Sequence, residues 1–319
     1  MTPASAYPME RDVGVPPVRL GRAGMPVVPV LLGVPYEEGT YWRKGAKHGP
    51  AAIRDQMDKL RPISMATGTR LPWTHEELNG GMLDIDPYNR ELAFQLVQTA
   101  VSDSLAAGRP PISIGGDHSI TIPILRAFSE HYGAGGFGVI HIDAHSDTFP
   151  PINGYDLHHG AVFRVAVKER LIRPNDIIQL GLRGTVRDGG LDFVREHGIR
   201  FATMEQWRRA GFSLAPFVPC QHSRFYLSFD IDVVDPAYAP GTGTPVPGGL
   251  TSAEALDIIR ALGDYQLVGA DLVEVAPVYD TAGITALLAS HIIFEVLTCC
   301  RFVAAHPSAV VAGEEASPC

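Results

Sequence analysis

The sequence predicts an α/β protein whose central, mostly parallel sheet is covered by helices on both faces. Three observations carry this. Short apolar runs alternate with helical patterns along most of the chain, which is how βαβ units read. The runs are apolar throughout rather than at every second residue, as strands buried on both faces are. Chemically active residues gather just after those runs, where ligands bind in such sheets. With 319 residues and no internal repeat, low-complexity block or linker, the whole of 1–319 reads as one domain. Residues 1–24 form an expected N-terminal arm and 304–319 an expected mobile tail.

Taken in order, residues 27–34 read as a buried strand. A loop at 45–50 leads into a helix from about Ala51. Asp86-Pro87 has the N-cap and first-position signature of a helix running to about Ala107. A short strand at 111–114 ends in Gly115-Gly116-Asp117-His118, followed by a helix to about Tyr132 and a strand at 137–142. Next come a helix at 163–170, a strand at 177–182, a helix at 191–197, a short strand at 200–203 and a strong strand at 225–229. Thr251 with Glu254 forms a capping-box pattern that opens a helix to about Leu262. A strand at 267–275 and a helix at 284–302 complete the set.

A hydrophobic share of 45% with 19% charged residues is ordinary globular composition, so a large core is available. The net charge of −9 argues against a nucleic-acid partner. Cys220, Cys299, Cys300 and Cys319 form no CxxC or zinc-finger spacing. The adjacent Cys299-Cys300, in an apolar helical run, read as reduced, buried residues, and a cytoplasmic location follows. Residues 1–22 hold no hydrophobic signal core, and no apolar run reaches membrane-spanning length.

The chemistry lies in two clusters. Asp143-Ala144-His145-Ser146-Asp147 follows one apolar run and Asp230-Ile231-Asp232 follows another. Residues two apart share a face of an extended chain, so Asp143, His145 and Asp147 point together, as do Asp230 and Asp232. Several carboxylates packed together are unfavourable unless a cation neutralises them. With His118, these residues make six candidate ligands. Their four aspartates balance the charge of two divalent ions. Oxygen and imidazole donors without thiolate suit Mn, Fe, Co, Ni or Zn. Gly115-Gly116 and Gly241/Gly243 belong to no P-loop or dinucleotide fingerprint and read as tight loops.

Gly115-Gly116-Asp117-His118-Ser119, the Asp143–Asp147 cluster and the segment from Ser228 to Pro236 resemble the signature motifs of the ureohydrolases, the arginase/agmatinase family. The resemblance runs from about Val27 to Phe302. Segments 43–50, 240–245 and 274–277 support it. The Gly241-Thr242-Gly243-Thr244-Pro245 run and His159-Gly160 are closer to the agmatinase branch.

The resemblance implies a three-layer α/β/α sandwich and a binuclear site. His118, Asp143, Asp147 and Asp230 would hold one ion; Asp143, His145, Asp230 and Asp232 would hold the other. Mn²⁺ is the first expectation and Ni²⁺ the alternative. The implied reaction releases urea and an amine from a small guanidino compound such as agmatine or guanidinobutyrate. Glu274 would face the guanidinium, and His159 would shuttle protons. Segments 37–42 and 153–158 would read the substrate tail, with Trp42 and Asn153 as contacts. A homo-oligomer, commonly a trimer or hexamer, is implied. A nickel-dependent guanidine or biguanide hydrolase and a non-catalytic partner of a hetero-oligomer are the alternatives. Three places depart from the family pattern. Tyr41-Trp42 is bulky, Ala276 replaces a polar residue, and 281–284 lacks an acidic residue, which weakens agmatine as substrate.

Overall fold

The computed structural model describes residues 27–218 and 224–304. The expected arm and nearly all of the expected tail lie outside them, as do Cys220 and Cys319.

Among the described residues nine strands form one sheet. They are β1 (Val30–Val34), β2 (Asn79–Met82), β3 (Pro111–Gly115), β4 (Gly138–Ile142), β5 (Ile177–Leu182), β6 (Arg200–Thr203), β7 (Arg224–Asp230), β8 (Gln266–Val273) and β9 (Arg301–Phe302). Their order is β2-β1-β3-β8-β7-β4-β5-β6, with β9 pairing β8, and every pairing is parallel.

Alternation along the strands sends side chains to two cores. Leu31, Ile112, Ile140 and Leu227 pack beneath α1 (Gly49–Met57), α2 (His75–Leu78), α7 (Met204–Arg209), α8 (Ser252–Ala261) and α9 (Ile284–Cys299). Val30, Leu32, Val139 and Tyr226 pack beneath α3 (Arg90–Ala106), α4 (Thr121–Tyr132), α5 (Val162–Lys168) and α6 (Asp192–His197). Both faces are therefore covered, and the three-layer α/β/α class expected from the sequence is the one found.

Some boundaries differ for local reasons. Asp86 does not cap a helix; its Oδ1 accepts the Tyr88 N–H in a turn, and Asn89 caps α3 by accepting the Leu92 N–H at 3.0 Å. The last helix stops at Cys299, and Arg301–Phe302 leave it to pair with β8. β2 escapes a reading based on apolar runs because it is a glycine-containing edge strand with mostly exposed residues. The capping boxes Thr74/Glu77 and Thr203/Gln206, which open α2 and α7, were legible and mark two short helices absent from the expectation.

The consequence for the site is geometric. β3, β8, β7 and β4 are consecutive neighbours in the middle of the sheet. Because they are parallel, their carboxyl ends share one edge. Those ends lead into His118, Glu274, Asp230 and Asp143 respectively. No helix among the described residues is long and apolar enough to cross a membrane.

Candidate metal centre

The turn after β3 is packed too closely for any side chain at Gly116, where an added Cβ would stand 1.7 Å from the Tyr36 carbonyl oxygen. This close approach seats Asp117 and His118. The imidazole Nδ1 of His118 lies 2.9 Å from Asp147 Oδ2, 3.2 Å from Asp230 Oδ2 and 3.4 Å from Asp143 Oδ2. None of these contacts has hydrogen-bonding geometry, so a buried nitrogen faces three carboxylate oxygens without a bond to any.

The far side of the ring explains the orientation. His118 Nε2 is 2.9 Å from Ser228 Oγ, and that hydroxyl donates to Asp271 Oδ1 at 2.8 Å. Ser228 has given its own proton to Asp271, so it accepts from Nε2–H. Nδ1 is then left with a lone pair aimed at the carboxylates. Asp271 is held in turn by the Tyr226 and Thr121 hydroxyls, each at 2.6 Å.

Asp143 sits between two groups. Its Oδ1 accepts the His145 N–H at 2.6 Å, and its Oδ2 pairs with His141 Nε2 at 2.8 Å. His145 Nδ1 is 2.9 Å from Asp232 Oδ2 and 3.5 Å from Asp143 Oδ1. Asp232 Oδ2 also accepts the Thr244 hydroxyl at 3.0 Å, while Asp230 Oδ1 accepts the Asp232 N–H at 2.8 Å. Possible donor atoms of His118, His141, Asp143 and Asp147 lie within 4.8 Å of one another, as do those of Asp143, His145 and Asp232. Asp230 joins the first group through His118. His141, bonded to Asp143 and packed on Phe163 at 4.3 Å, lies in the first group but is tied on its other side to Gln179.

The electrostatics is that of a site made for cations. Asp143, Asp147, Asp230 and Asp232 are all buried. Burial, and then the charges of Asp232 and Asp143, push Asp230 well above the usual carboxylate range; burial also raises Asp232. Burial acts the same way on Asp143, but His141, His118 and His145 outweigh it and hold this carboxyl well below that range. Burial would lower His118, yet Asp143, Asp147 and Asp230 draw it well above its ordinary value. A proton or a metal ion answers that charge. The absence of hydrogen-bonding geometry at Nδ1 and the all-oxygen-and-imidazole donor set fit a divalent ion.

Beside this cluster, Glu274 takes a positive φ of 64° directly after β8. Its Oε1 accepts the His118 N–H at 2.8 Å and lies 3.0 Å from His159 Nδ1. Burial disfavours both charges, but the pair overrides it. His159 is raised to about 9 by Glu274, and Glu274 is lowered by His159. Glu274 Oε2 and His159 Nε2 are buried and free of protein partners. The neighbouring His158 instead turns its Nε2 to the Pro150 carbonyl, 3.2 Å away.

Residues 29–299 match the profile described as the Arginase family. The chain belongs to the Arginase family. Proclavaminate amidinohydrolase of Streptomyces clavuligerus is 41% identical over 275 residues, covering 84% of this chain and 86% of that one. Guanidinobutyrase of Pseudomonas aeruginosa is 39% identical over 276 residues, covering 84% of each. A solved structure of the Streptomyces amidinohydrolase aligns with a TM-score of 0.77 at 38% identity, over 90% of this chain and 95% of that one. This Arginase-family chain is accordingly an enzyme, a hydrolase of amidine C–N bonds. The family depends on a binuclear metal, and the His/Asp cluster is able to bind metal.

The mouth of this Arginase-family site is built from loops. Tyr41 packs edge-on against His159, with ring centroids 4.6 Å apart. Trp42 lines a cavity of about 550 Å³ that also touches His145. Asn153 stands on an exposed turn with φ 50°, between the bridged Ile152 and Tyr155, and is not among the described residues lining that cavity. Four supporting residues were assigned no role from the sequence: Ser228 and Thr244, which lie within the motifs named above, and Asp271 and Gln179, which do not. Two had a signal. Ser228 lies two residues before Asp230 on the same strand face, and Asp271 is an acid inside an otherwise apolar strand.

Proposed function

We propose that this chain is a binuclear-metal amidinohydrolase that hydrolyses the guanidino C–N bond of a small guanidino compound to urea and an amine. Agmatine and guanidinobutyrate are the reference substrates. The observation that carries the reading is the convergence of His118, Asp143, Asp147 and Asp230 beside the group Asp143, His145 and Asp232. Those residues would hold two ions, with Asp143 and Asp230 shared. Mn²⁺ is favoured and Ni²⁺ is the alternative, since the donors serve both. When bound, the ions supply Lewis acidity and an activated water.

The protein groups beside them have separate tasks. Glu274 offers its free Oε2 to the guanidinium N–H donors, and its carboxylate is oriented because Oε1 is engaged by His118 and His159. His159, with a pKa of about 9, carries a proton at neutral pH that the departing amine requires. The reading extends to a one-domain, cytoplasmic homo-oligomer, a trimer or hexamer. Free thiols at Cys299 and Cys300 support the reducing compartment. Light scattering checks the assembly.

The decisive experiment is urea release by the purified chain loaded separately with Mn²⁺ and Ni²⁺, over a panel of guanidino compounds. Release that disappears in Asp230→Asn is the expected result. A chain that binds no divalent ion, or that releases no urea from any compound, overturns the reading.

A further inference from the structure

Resting on the amidinohydrolase reading, we infer that the substrate tail is uncharged and apolar, as in an alkyl- or arylguanidine, and that Trp42 is the residue that selects it. The apolar part of the cavity next to His145 is formed by Trp42, Phe149, Leu182, Val186, Pro245 and Pro247, and the hydroxyl-bearing Ser146, Thr185, Thr203 and Thr244 also line it. Among the described residues that line it there is no aspartate or glutamate; its charged or titratable members are His145 and Arg183. A tail bearing a second ammonium would give up hydration and find no carboxylate in this lining to replace it. Agmatine therefore fits the lining badly.

A carboxylate tail fares no better. Arg183 is committed to the backbone. Its Nη2 donates to the carbonyls of Asp232 at 2.6 Å and Val246 at 2.8 Å, and its Nε donates to Val246 at 3.2 Å. Its remaining nitrogen, Nη1, has no hydrogen-bond partner among the described residues but is buried away from the cavity surface. The two parallel N–H groups that bind a carboxylate in forked fashion are thus not available to the cavity. Arg183 secures the Pro245–Pro247 wall against the Asp232 loop instead.

What the cavity does offer is unspent apolar surface. Trp42 is 64% exposed, Val186 57% and the adjoining Tyr41 53%. Covering them with hydrocarbon is favourable in proportion to the area removed from water. The Arg43 guanidinium lies over the Tyr279 ring, 3.9 Å from its centroid, and 5.7 Å from the centroid of the Trp42 ring. The base of the loop is pinned where Glu37 accepts the Gly45 N–H at 2.6 Å and Asp117 accepts the Gly39 N–H at 2.8 Å. A loop pinned at its base loses less freedom when a ligand arrives than an untethered one.

The test compares kcat/KM of the metal-loaded full chain for agmatine, 4-guanidinobutyrate, butylguanidine and 2-phenylethylguanidine, in the parent, Trp42→Ala and Trp42→Phe. The two compounds with uncharged tails are expected to exceed the two with charged tails by roughly tenfold or more. Trp42→Ala should narrow that gap through KM, and Trp42→Phe should restore most of it. Urea chiefly from agmatine or guanidinobutyrate overturns the tail inference and leaves the amidinohydrolase reading standing. An unchanged preference in Trp42→Ala, with a change of oligomer size by light scattering, makes Trp42 an interface residue and overturns the inference as well. Urea from none of the four compounds, while guanidine or a biguanide yields it, again overturns only the tail. Urea from none of these six overturns both.

Discussion

The carboxylates at the ends of β4 and β7 and the aromatic loop above them are held in opposite ways. Asp143, Asp230 and Asp232 are at most 3% exposed, and each accepts a backbone N–H besides facing an imidazole. Tyr41 and Trp42 are more than half exposed and ride on a segment tied down mainly at its base. In the first region a shared sheet edge dictates position, and every charge depends on its neighbours. In the second, side chains project from a loop and touch the chemistry from one side. The chemistry is thus built where change is least tolerated, and selectivity where change costs the fold little.

The widest separation between the regions should appear in Asp143→Asn. Asp143 belongs to both donor groups, so the substitution should remove urea release and lower bound metal measured by elemental analysis. Retention of two ions per chain would break the contrast. His159→Ala should lower kcat by ~10²–10⁴-fold while metal content stays the same. Its titration, followed by NMR in the metal-free parent, should centre at about 9 and fall in metal-free Glu274→Gln, because Glu274 is the largest of the groups that raise it. Ser228→Ala frees the far side of His118 and removes one donor from Asp271, and should cost about 10–100-fold in metal affinity or activity.

The smallest effect belongs to the loop base. Burial pushes the Glu37 carboxyl up, but Lys47, 2.8 Å away, and the Gly45 N–H outweigh it and hold it below its usual 4.5. A depressed folded value means the tether contributes fully above the unfolded carboxyl's pKa. It is lost as pH falls through the lower, folded value. Amide exchange at Gly45 should therefore quicken only in acid, below pH 4.5. Glu37→Gln should remove that pH dependence.

The contrast also governs what was legible in the sequence. The six candidate ligand positions could be picked out because each lies at or within a few residues of the end of an apolar run, and parallel pairing then brings the run ends to one edge. Glu274 and His159 were legible only through family resemblance. Nothing local says that residues 115 positions apart meet at 3.0 Å. Ser228 and Asp271 hid inside strands, where a polar residue reads as an interruption rather than a support. Asp86 misled because a good capping residue also makes a good turn, and Asn89 three residues later competes for the same helix. β2 was invisible for lack of side chains to bury.

Asp147 and Glu274 share one more property: both hold a positive φ, 47° and 64°, where a glycine would be at ease. If the proposed roles hold, the backbone and the reaction ask for different amino acids at these two positions. Strain of this kind costs on the order of 1–3 kcal/mol per residue and persists where the surrounding structure over-determines it. Asp147→Gly should be inactive, yet its metal-free form should melt above the metal-free parent, since it sheds both the strain and one of four crowded negative charges.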